Sequence, residues 1–223
     1  MAMTERVRRL RDRSQKAEPT LSTERAELLT AFYGEQRRPL SAPVERALAF
    51  QHLMKQKTVT IEPGELIVGE KGPRPKAAPT YPELCCHSLT DLDILDSREK
   101  TSFAVSDQAR RVYRDTIIPF WEGRSMRDRI FGEMTKAWKA AYDAGVFTEF
   151  MEQRSPGHTV LDDKIYRKGM LDFKREIERH LRSLNYLVDP EAYDKQEELK
   201  AMAICADALV QFAERHADLA LEL

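Results

Sequence analysis

Apolar side chains recur at intervals of three and four residues along much of the sequence, and this spacing is the period of an α-helix with one apolar face. The run from Leu199 to Ala213 follows this spacing throughout, and the run from Met170 to Leu184 follows it as well. Each such helix must bury its apolar stripe against another element. We therefore predict a mainly α-helical fold in which the C-terminal helix is the most regular element.

Helix start signals predict further helices upstream of these two runs. They begin where a capping hydroxyl or a proline precedes an apolar run, namely after Ser22 or Thr23, at Pro43, after Ser106 and after Ser125. Gly34 is expected to end the first of these helices. Asp128 follows Ser125 at the spacing of a capping box, and the apolar pattern behind it continues to Ala141.

Strand signals are few. Thr58–Ile61 and Leu66–Val68 are runs rich in β-branched residues, and the Glu-Pro-Gly-Glu between them predicts a short hairpin or bend. The segment from Gly72 to Pro82 holds four prolines, which exclude a helix and favour an extended crossing of the surface. No convincing boundary divides the chain. We predict a single domain over residues 1–223, mainly α with one or two short strands.

Charge and hydropathy exclude two classes of partner. The 36 basic and 37 acidic side chains leave a net charge of -1, so no overall field attracts nucleic acid or an anionic membrane. The basic stretch from Arg6 to Arg13 is interrupted by acidic residues and lacks aromatic ones, which is typical of a solvated helix face rather than a nucleic-acid arm or transit peptide. No apolar run approaches the roughly 20 residues that a membrane-spanning helix needs.

The cysteines indicate a reducing compartment. Three cysteines cannot pair completely, and neighbours such as Cys85 and Cys86 would form a strained disulfide. Cys205 lies on the apolar face of a predicted helix, where a free cysteine behaves as a small hydrophobe. We interpret all three as structural or pocket-adjacent thiols of a cytoplasmic protein.

Nucleotide and metal sites are not indicated. Gly64–Lys71 resembles a phosphate-binding loop, but Glu70 intrudes between the second glycine and Lys71, and Gly72 replaces the hydroxyl residue. The five histidines, at positions 52, 87, 158, 180 and 216, show no metal-ligand spacing. His87, after the proline-rich segment, is interpreted as a hydrogen-bonded structural residue.

The stretch from Phe147 to Val160 combines aromatic, charged and amide side chains with a Pro-Gly turn. Pro156 restricts one backbone angle and Gly157 permits conformations closed to other residues, so His158 is presented from a constrained corner. Such a corner suits a small-molecule pocket, and it equally suits a loop in which His158 caps a nearby carbonyl. The residues alone leave both interpretations open.

Four segments in order, Glu65–Gly72, Ala78–His87, Ile117–Trp121 and Arg154–Thr159, resemble the N-terminal part of the glycyl radical enzymes, the family that includes pyruvate formate-lyase. The resemblance covers nearly all of the sequence. It implies the helical N-terminal portion of a fold whose full-length members close around a ten-stranded α/β barrel. The centre of that barrel is expected to be missing here.

Within this family the sequence is most similar to the eliminating branch, and Phe150, Gln153 and Gly157-His158 most resemble the dehydratases that act on trans-4-hydroxyproline. The resemblance implies that Phe150 packs on the pyrrolidine ring, that His158 lies near its polar groups, and that Gln153 and Gly157 complete the substrate wall. The implied reaction is radical elimination of water. Isethionate, choline, glycerol and propanediol eliminases are the alternatives.

The two catalytic motifs of the family are absent from this sequence. No cysteine follows a glycine, and neither Arg-Val pair, at Arg6 or Arg111, leads into a glycine. No residue of this chain is therefore predicted to be catalytic, and we expect it to be inactive alone, as a fragment or a truncated relative. The resemblance implies that an S-adenosylmethionine-dependent activating enzyme installs the glycyl radical of the full-length family.

The expected partners follow from the same resemblance. They are the remainder of a glycyl radical enzyme or a full-length relative, the activating enzyme, and other copies of this chain through self-association, with no nucleic acid and no membrane. The alternative is a non-catalytic helical assembly or regulatory protein that docks on a full-length relative. Large exposed apolar patches would favour this alternative.

Overall fold

The computed structural model describes residues 3–35, 39–146 and 161–223. The chain forms two compact units, the first from Met1–Thr30 and Arg74–His158 and the second from Ala31–Pro73 and Thr159–Leu223. Compactness alone does not make a unit an independent domain, so the single domain predicted over residues 1–223 stays a prediction.

Helices dominate the described residues. In chain order the elements are α1 (Glu5–Lys16), β1 (Thr20–Ser22), α2 (Glu24–Glu35), α3 (Ala42–Gln56), β2 (Ala77–Pro79), α4 (Leu89–Ser97), α5 (Asp107–Val112), a π-helical segment (Tyr113–Ile117), α6 (Ile118–Trp121), α7 (Met126–Glu133), α8 (Lys136–Asp143), a 3₁₀ segment (Asp162–Tyr166), α9 (Met170–Ser183) and α10 (Ala192–Leu221). The mainly α prediction is confirmed. The described residues contain two short strands and no barrel.

Side-chain hydroxyls begin several helices of the first unit. Each accepts a hydrogen bond from the backbone N–H three residues on, and the residues are Thr4, Ser88, Ser106, Ser125 and Thr135. The predicted caps at Ser106 and Ser125 are confirmed. The predicted continuation to Ala141 is wrong in one respect, because α7 ends at Glu133 and Thr135 caps a new helix, α8.

The helix predicted after Ser106 is interrupted by the π-helical segment. The backbone N–H of Ile118 donates to the carbonyl of Tyr113, five residues back. Pro119 explains this wider turn, because proline has no N–H and its ring would crowd the carbonyl four residues before it. Tyr113, Ile117 and Trp121 of this stretch are all buried.

The two strands pair in parallel, with Thr20 opposite Ala77 and Ser22 opposite Pro79. Ala104 continues this arrangement, because the N–H of Leu21 donates to its carbonyl at 3.0 Å. The proline-rich segment contains no helix, as predicted, but it is extended only in part, because residues 72–76 form bends and a turn before β2.

Of the hairpin or bend predicted over Thr58–Val68, the structure has the bend, since this stretch contains no strand. The N–H of Glu62 donates to a side-chain oxygen of Glu65 at 3.0 Å, and the N–H of Glu65 donates to the carbonyl of Glu62. This local turn takes the bonds that a hairpin ladder needs. Ile67, at 92% exposure, has no partner strand to pack on.

In the second unit, α10 packs against both α3 and α9. Alanines line much of its buried side, and the buried apolar residues of this unit are Ala47, Ala49, Leu53, Ile177, Ala192, Ala201, Ala206 and Ala208. Such small side chains let helix axes approach closely. Arg215 of α10 donates to the carbonyls of Met54 and Lys57, both at 2.7 Å, and so satisfies groups that the end of α3 leaves unpaired.

Candidate functional site

The residues predicted to bind substrate lie outside the described residues. Phe150, Gln153, Gly157 and His158 all belong to the stretch 147–160. Their assignment to one pocket therefore stays a prediction. The described part of the chain contributes a different feature, the polar segment from Thr80 to His87 that follows β2.

An ion pair attaches this segment to α2. The Nη1 of Arg25 donates to Glu83 Oε2 at 3.0 Å and to the carbonyl of Thr80 at 3.1 Å, and its Nη2 pairs with the other carboxylate oxygen. The guanidinium also lies 4.0 Å from the centre of the Tyr81 ring. This bidentate ion pair and the cation–π contact together hold the segment in one orientation.

The first turn of α7 holds the other side of the segment. The N–H groups of Met126 and Arg127 donate to the carbonyls of Glu83 and Leu84 at 2.9 and 3.0 Å. These are N–H groups that a helix start cannot satisfy within itself, so the segment acts as their acceptor. Cys85 follows directly and lies beside the start of α7.

The two adjacent cysteines have different surroundings. Arg127 Nη1 donates to Cys85 Sγ at 3.4 Å. Burial, together with the negative charges of Asp128, Cys85, Glu122 and Asp91, raises the pKa of the Cys86 thiol to about 12. Both cysteines are half-buried and free of any disulfide.

The charge of Arg127 is favoured despite its burial. Burial alone would lower its pKa, but the hydrogen bond to Cys85 and nearby acidic groups more than offset this effect, so the pKa is raised. Burial lowers the pKa of His87, and Arg127 lowers it further while Asp91 acts in the opposite direction. Close to neutral pH, the imidazole of His87 in the segment is thus neutral, and Arg127 of α7 is a cation near it.

Two hydroxyls of the first unit are buried. Tyr113 is fully buried and Thr80 is 6% exposed. Their oxygens approach each other without the geometry of a hydrogen bond, and neither has another partner among the described residues. Burial raises the pKa of Tyr113 and outweighs the opposite effect of the Thr80 hydroxyl, so the Tyr113 hydroxyl stays protonated.

Sequence reasoning identified part of this segment and missed the rest. Ala78–His87 was one of the segments that carry the family resemblance, and His87 was interpreted as structural. Nothing in the local sequence distinguishes Arg127 or Arg25 from the other basic residues, and Tyr113 belongs to an ordinary apolar helix pattern. No sequence signal could have found their contacts.

A separate open cavity of about 520 Å³ lies in the second unit, between the end of α9 and the start of α10. Its walls combine apolar side chains such as Leu184, Leu199 and Met202 with the carboxylates of Asp194 and Glu198. The mixture of exposed apolar and acidic groups fits a surface groove rather than an enclosed reaction chamber.

The same described residues have neither a metal-binding cluster nor a membrane-spanning helix. They contain no group of three or more histidine, cysteine or acidic residues that could hold a metal ion. None of their helices combines the length and the apolar character that a bilayer crossing requires.

Comparison of the sequence and the fold with known proteins identifies the family of this chain. The family model described as pyruvate formate lyase-like matches residues 3–223. Trans-4-hydroxy-L-proline dehydratase of Clostridioides difficile is 50% identical over 219 residues, which cover 98% of this chain and 28% of that protein. The solved structure of that dehydratase, with its substrate bound, superposes with a TM-score of 0.92.

More distant relatives share the same portion. Probable dehydratase YbiW of Escherichia coli (strain K12) is 31% identical over 92% of this chain and 25% of its own length. The B12-independent glycerol dehydratase of Clostridium butyricum, in its glycerol-bound form, has 26% identity and a TM-score of 0.84, with 100% of this chain and 28% of that chain covered. The chain thus spans little more than a quarter of the proteins it matches. It belongs to the pyruvate formate lyase-like family of glycyl radical enzymes and corresponds to their N-terminal portion.

Proposed function

We propose that this chain forms part of the substrate wall of a glycyl radical dehydratase that eliminates water from trans-4-hydroxy-L-proline. The observation that carries the proposal is the 50% identity with the Clostridioides difficile dehydratase, which extends over almost the whole chain. The relatives with other substrates are markedly less similar to this chain.

In this proposal Phe150 supplies an apolar wall and His158 a polar contact. An aromatic face packs well on a pyrrolidine ring, and an imidazole can donate to or accept from a hydroxyl or carboxylate group. Gln153 lies at the edge of the pocket, and Gly157 lets the chain turn so that the ring and the imidazole face one cavity. These residues bind and orient substrate and help to exclude water.

The radical chemistry belongs to residues outside this sequence. A full-length member of the family supplies a thiyl cysteine and a radical-storing glycine, which an activating enzyme charges. We propose that this chain acts only together with such residues, in a reducing cytoplasm. The purified chain alone, mixed with activating enzyme, reductant and trans-4-hydroxyproline, should give neither product nor a glycyl signal in electron paramagnetic resonance.

A chimera tests the proposal directly. The N-terminal part of the Clostridioides difficile dehydratase that matches this chain would be replaced by the present sequence, and the chimera would be activated without oxygen. We expect it to dehydrate trans-4-hydroxy-L-proline, with the unaltered dehydratase as the positive control. Isethionate, choline, glycerol and propanediol would be assayed in parallel.

The outcomes separate the alternatives. Turnover of another substrate in preference to hydroxyproline would reassign the chain to a different eliminase. An activated chimera that forms the glycyl radical but acts on none of the five substrates would contradict the substrate-wall proposal. In that case a non-catalytic role on a full-length relative would become the better interpretation.

A further inference from the structure

The helix α1 carries a local excess of positive charge on an exposed surface. Six of its twelve side chains are basic and two are acidic, and none of the twelve is buried within the described part of the chain. Arg9, Arg13 and Lys16 are exposed and follow one another after four and three residues, so they form a cation row along one side of the helix. Exposed charge of one sign attracts a surface of the opposite sign.

The open cavity between the end of α9 and the start of α10, here the α9–α10 cavity, has the opposite charge. Its walls carry three carboxylates and one lysine. The carboxylates belong to Glu191, Asp194 and Glu198, which are exposed and form a carboxylate row along one side of α10. Lys195 pairs with Asp189 at 2.8 Å and with Glu191 at 3.2 Å, whereas Asp194 and Glu198 have no ion-pair partner among the described residues. The cavity therefore keeps a negative edge.

The two rows match in spacing when their helices run antiparallel. Forward along α1 from Arg9, the next cations follow after four and then three residues. Backward along α10 from Glu198, the next carboxylates also follow after four and then three residues. Because each residue of a helix rises about 1.5 Å, the successive steps are about 6 Å and about 4.5 Å in both rows. Antiparallel contact therefore pairs each cation with one carboxylate, namely Arg9 with Glu198, Arg13 with Asp194 and Lys16 with Glu191.

Apolar side chains accompany both rows. Leu184, Leu199 and Met202 line the cavity, and Met202 is 51% exposed. On α1, Val7 is 39% exposed and Leu10 is partly exposed. Contact between such side chains removes apolar surface from water, while the charges select the partner and its orientation. Both surfaces thus have the composition of a small docking interface.

We propose that α1 of one copy of this chain docks in the α9–α10 cavity of a second copy. Charge complementarity selects this occupant, because the cation row and the carboxylate row belong to the same chain and match one to one. The contact is heterologous, since different surfaces of the two copies meet. A pair of copies keeps one unused α1 and one unused cavity, so assembly can continue beyond two copies.

Charge reversal in the whole chain tests this contact by sedimentation velocity. One test variant carries Arg9→Glu and Arg13→Glu, and the other carries Asp194→Lys and Glu198→Lys. We expect each variant alone to associate at least about tenfold more weakly than the unaltered chain, whose own association should weaken at high salt. An equimolar mixture of the two variants should associate again, because the intact α1 of the second variant meets the intact cavity of the first.

Matched controls make the same change of net charge elsewhere on the same helices. Arg8→Glu with Arg11→Glu alters the other side of α1, and Glu214→Lys with Asp218→Lys alters exposed positions near the end of α10. Both controls should associate as the unaltered chain does, because a change in overall repulsion affects test and control variants alike. Circular dichroism of each variant identifies any loss of association that comes from unfolding.

A second measurement needs no variant. A carbodiimide joins a lysine to a carboxylate that it contacts, and a mixture of isotopically light and heavy chains distinguishes bonds between copies from bonds within one copy. We expect a Lys16–Glu191 cross-link between copies, located by mass spectrometry. The proposal is overturned if the unaltered chain stays monomeric or forms no such cross-link. It is equally overturned if the test variants associate as strongly as their controls, or if their mixture does not regain association.

Discussion

The indole Nε1 of Trp121 donates a hydrogen bond to Oγ1 of Thr30 at 2.8 Å, although 91 positions separate the two residues. Both side chains are buried, and the Thr30 hydroxyl in turn donates a hydrogen bond to the carbonyl of Ala26 at 2.7 Å. This relay joins the short helix α6 to α2. It satisfies two polar groups that would otherwise be buried without partners.

Removal of one partner of this pair should therefore destabilise the fold. We expect Trp121→Phe to lower the free energy of unfolding by about 1–3 kcal/mol, through the lost bond and the smaller ring. Denaturant unfolding of Trp121→Phe, Thr30→Val and the double variant would measure the coupling. Additive effects of the two substitutions would show that the bond contributes nothing.

The Arg25–Glu83 ion pair should stabilise the Thr80–His87 segment. Arg25→Met keeps a long side chain but loses the paired bonds to Glu83, the bond to Thr80 and the contact with Tyr81. We expect a loss of about 2–3 kcal/mol in the free energy of unfolding, because Glu83 remains partly buried without its cation. Arg8→Met is the matched control, since Arg8 forms an exposed pair with Glu5 that should contribute under about 1 kcal/mol. Equal losses in the two variants would contradict the argument.

Stability should depend on pH through His87. Its pKa in the folded protein is lowered from the ordinary 6.5, chiefly by burial, so below pH 6.5 the unfolded chain binds more protons than the folded one. Stability from this source is complete above that value and is lost as the pH falls below it. Urea unfolding at about pH 7.5 and about pH 5.5 should show a smaller decrease for His87→Gln than for the unaltered protein.

The titration of Glu197 does not interfere with this measurement between about pH 5.5 and about pH 7.5. Hydrogen bonds from Lys200, Ser41 and Gln196 lower the pKa of Glu197 from 4.5 to about 2, so its contribution disappears only in more acidic solution. An identical decrease with and without His87 would assign the pH dependence to another group.

Phe150 and His158 should have separable effects in the activated chimera. Phe150→Ala removes apolar contact, so we expect KM for trans-4-hydroxy-L-proline to rise roughly tenfold or more with a smaller change in kcat. His158→Ala should lower kcat instead, because the substrate loses its orientation. Phe147→Ala is the matched aromatic control from the same stretch. Unchanged kinetics in both test variants would support the alternative of an ordinary connecting loop.

Exposed apolar residues predict self-association of the isolated chain. Leu187 is 95% exposed and Ile67 is 92% exposed, and such side chains are normally covered in a folded assembly. We expect sedimentation to detect oligomers whose population falls in Leu187→Glu and in Ile67→Glu. Gln15→Glu adds the same charge at an exposed position of α1 and should leave the oligomers unchanged. A compact monomer at high concentration, with little binding of a hydrophobic dye, would refute this prediction.

Local chemistry in the sequence was sufficient for much of the secondary structure and for the family. Hydroxyl caps at Ser106 and Ser125, the proline near the start of α3 and the apolar period of α10 act within one or two turns of chain, so they can be recognised without a partner. The order of the four resembling segments likewise indicates the glycyl radical enzyme family from the sequence alone. The substrate role of Phe150, Gln153, Gly157 and His158 remains a prediction from that resemblance.

Only the tertiary structure decided which distant groups meet. The β-branched stretch Leu66–Val68 stays unpaired while Thr20–Ser22 pairs with Ala77–Pro79, because strand formation depends on a partner's free backbone groups and not on propensity alone. For the same reason, the sequence around Cys85 does not predict that Arg127 donates a hydrogen bond to its sulfur. Such a contact depends on folding, because 42 positions separate the two residues along the chain.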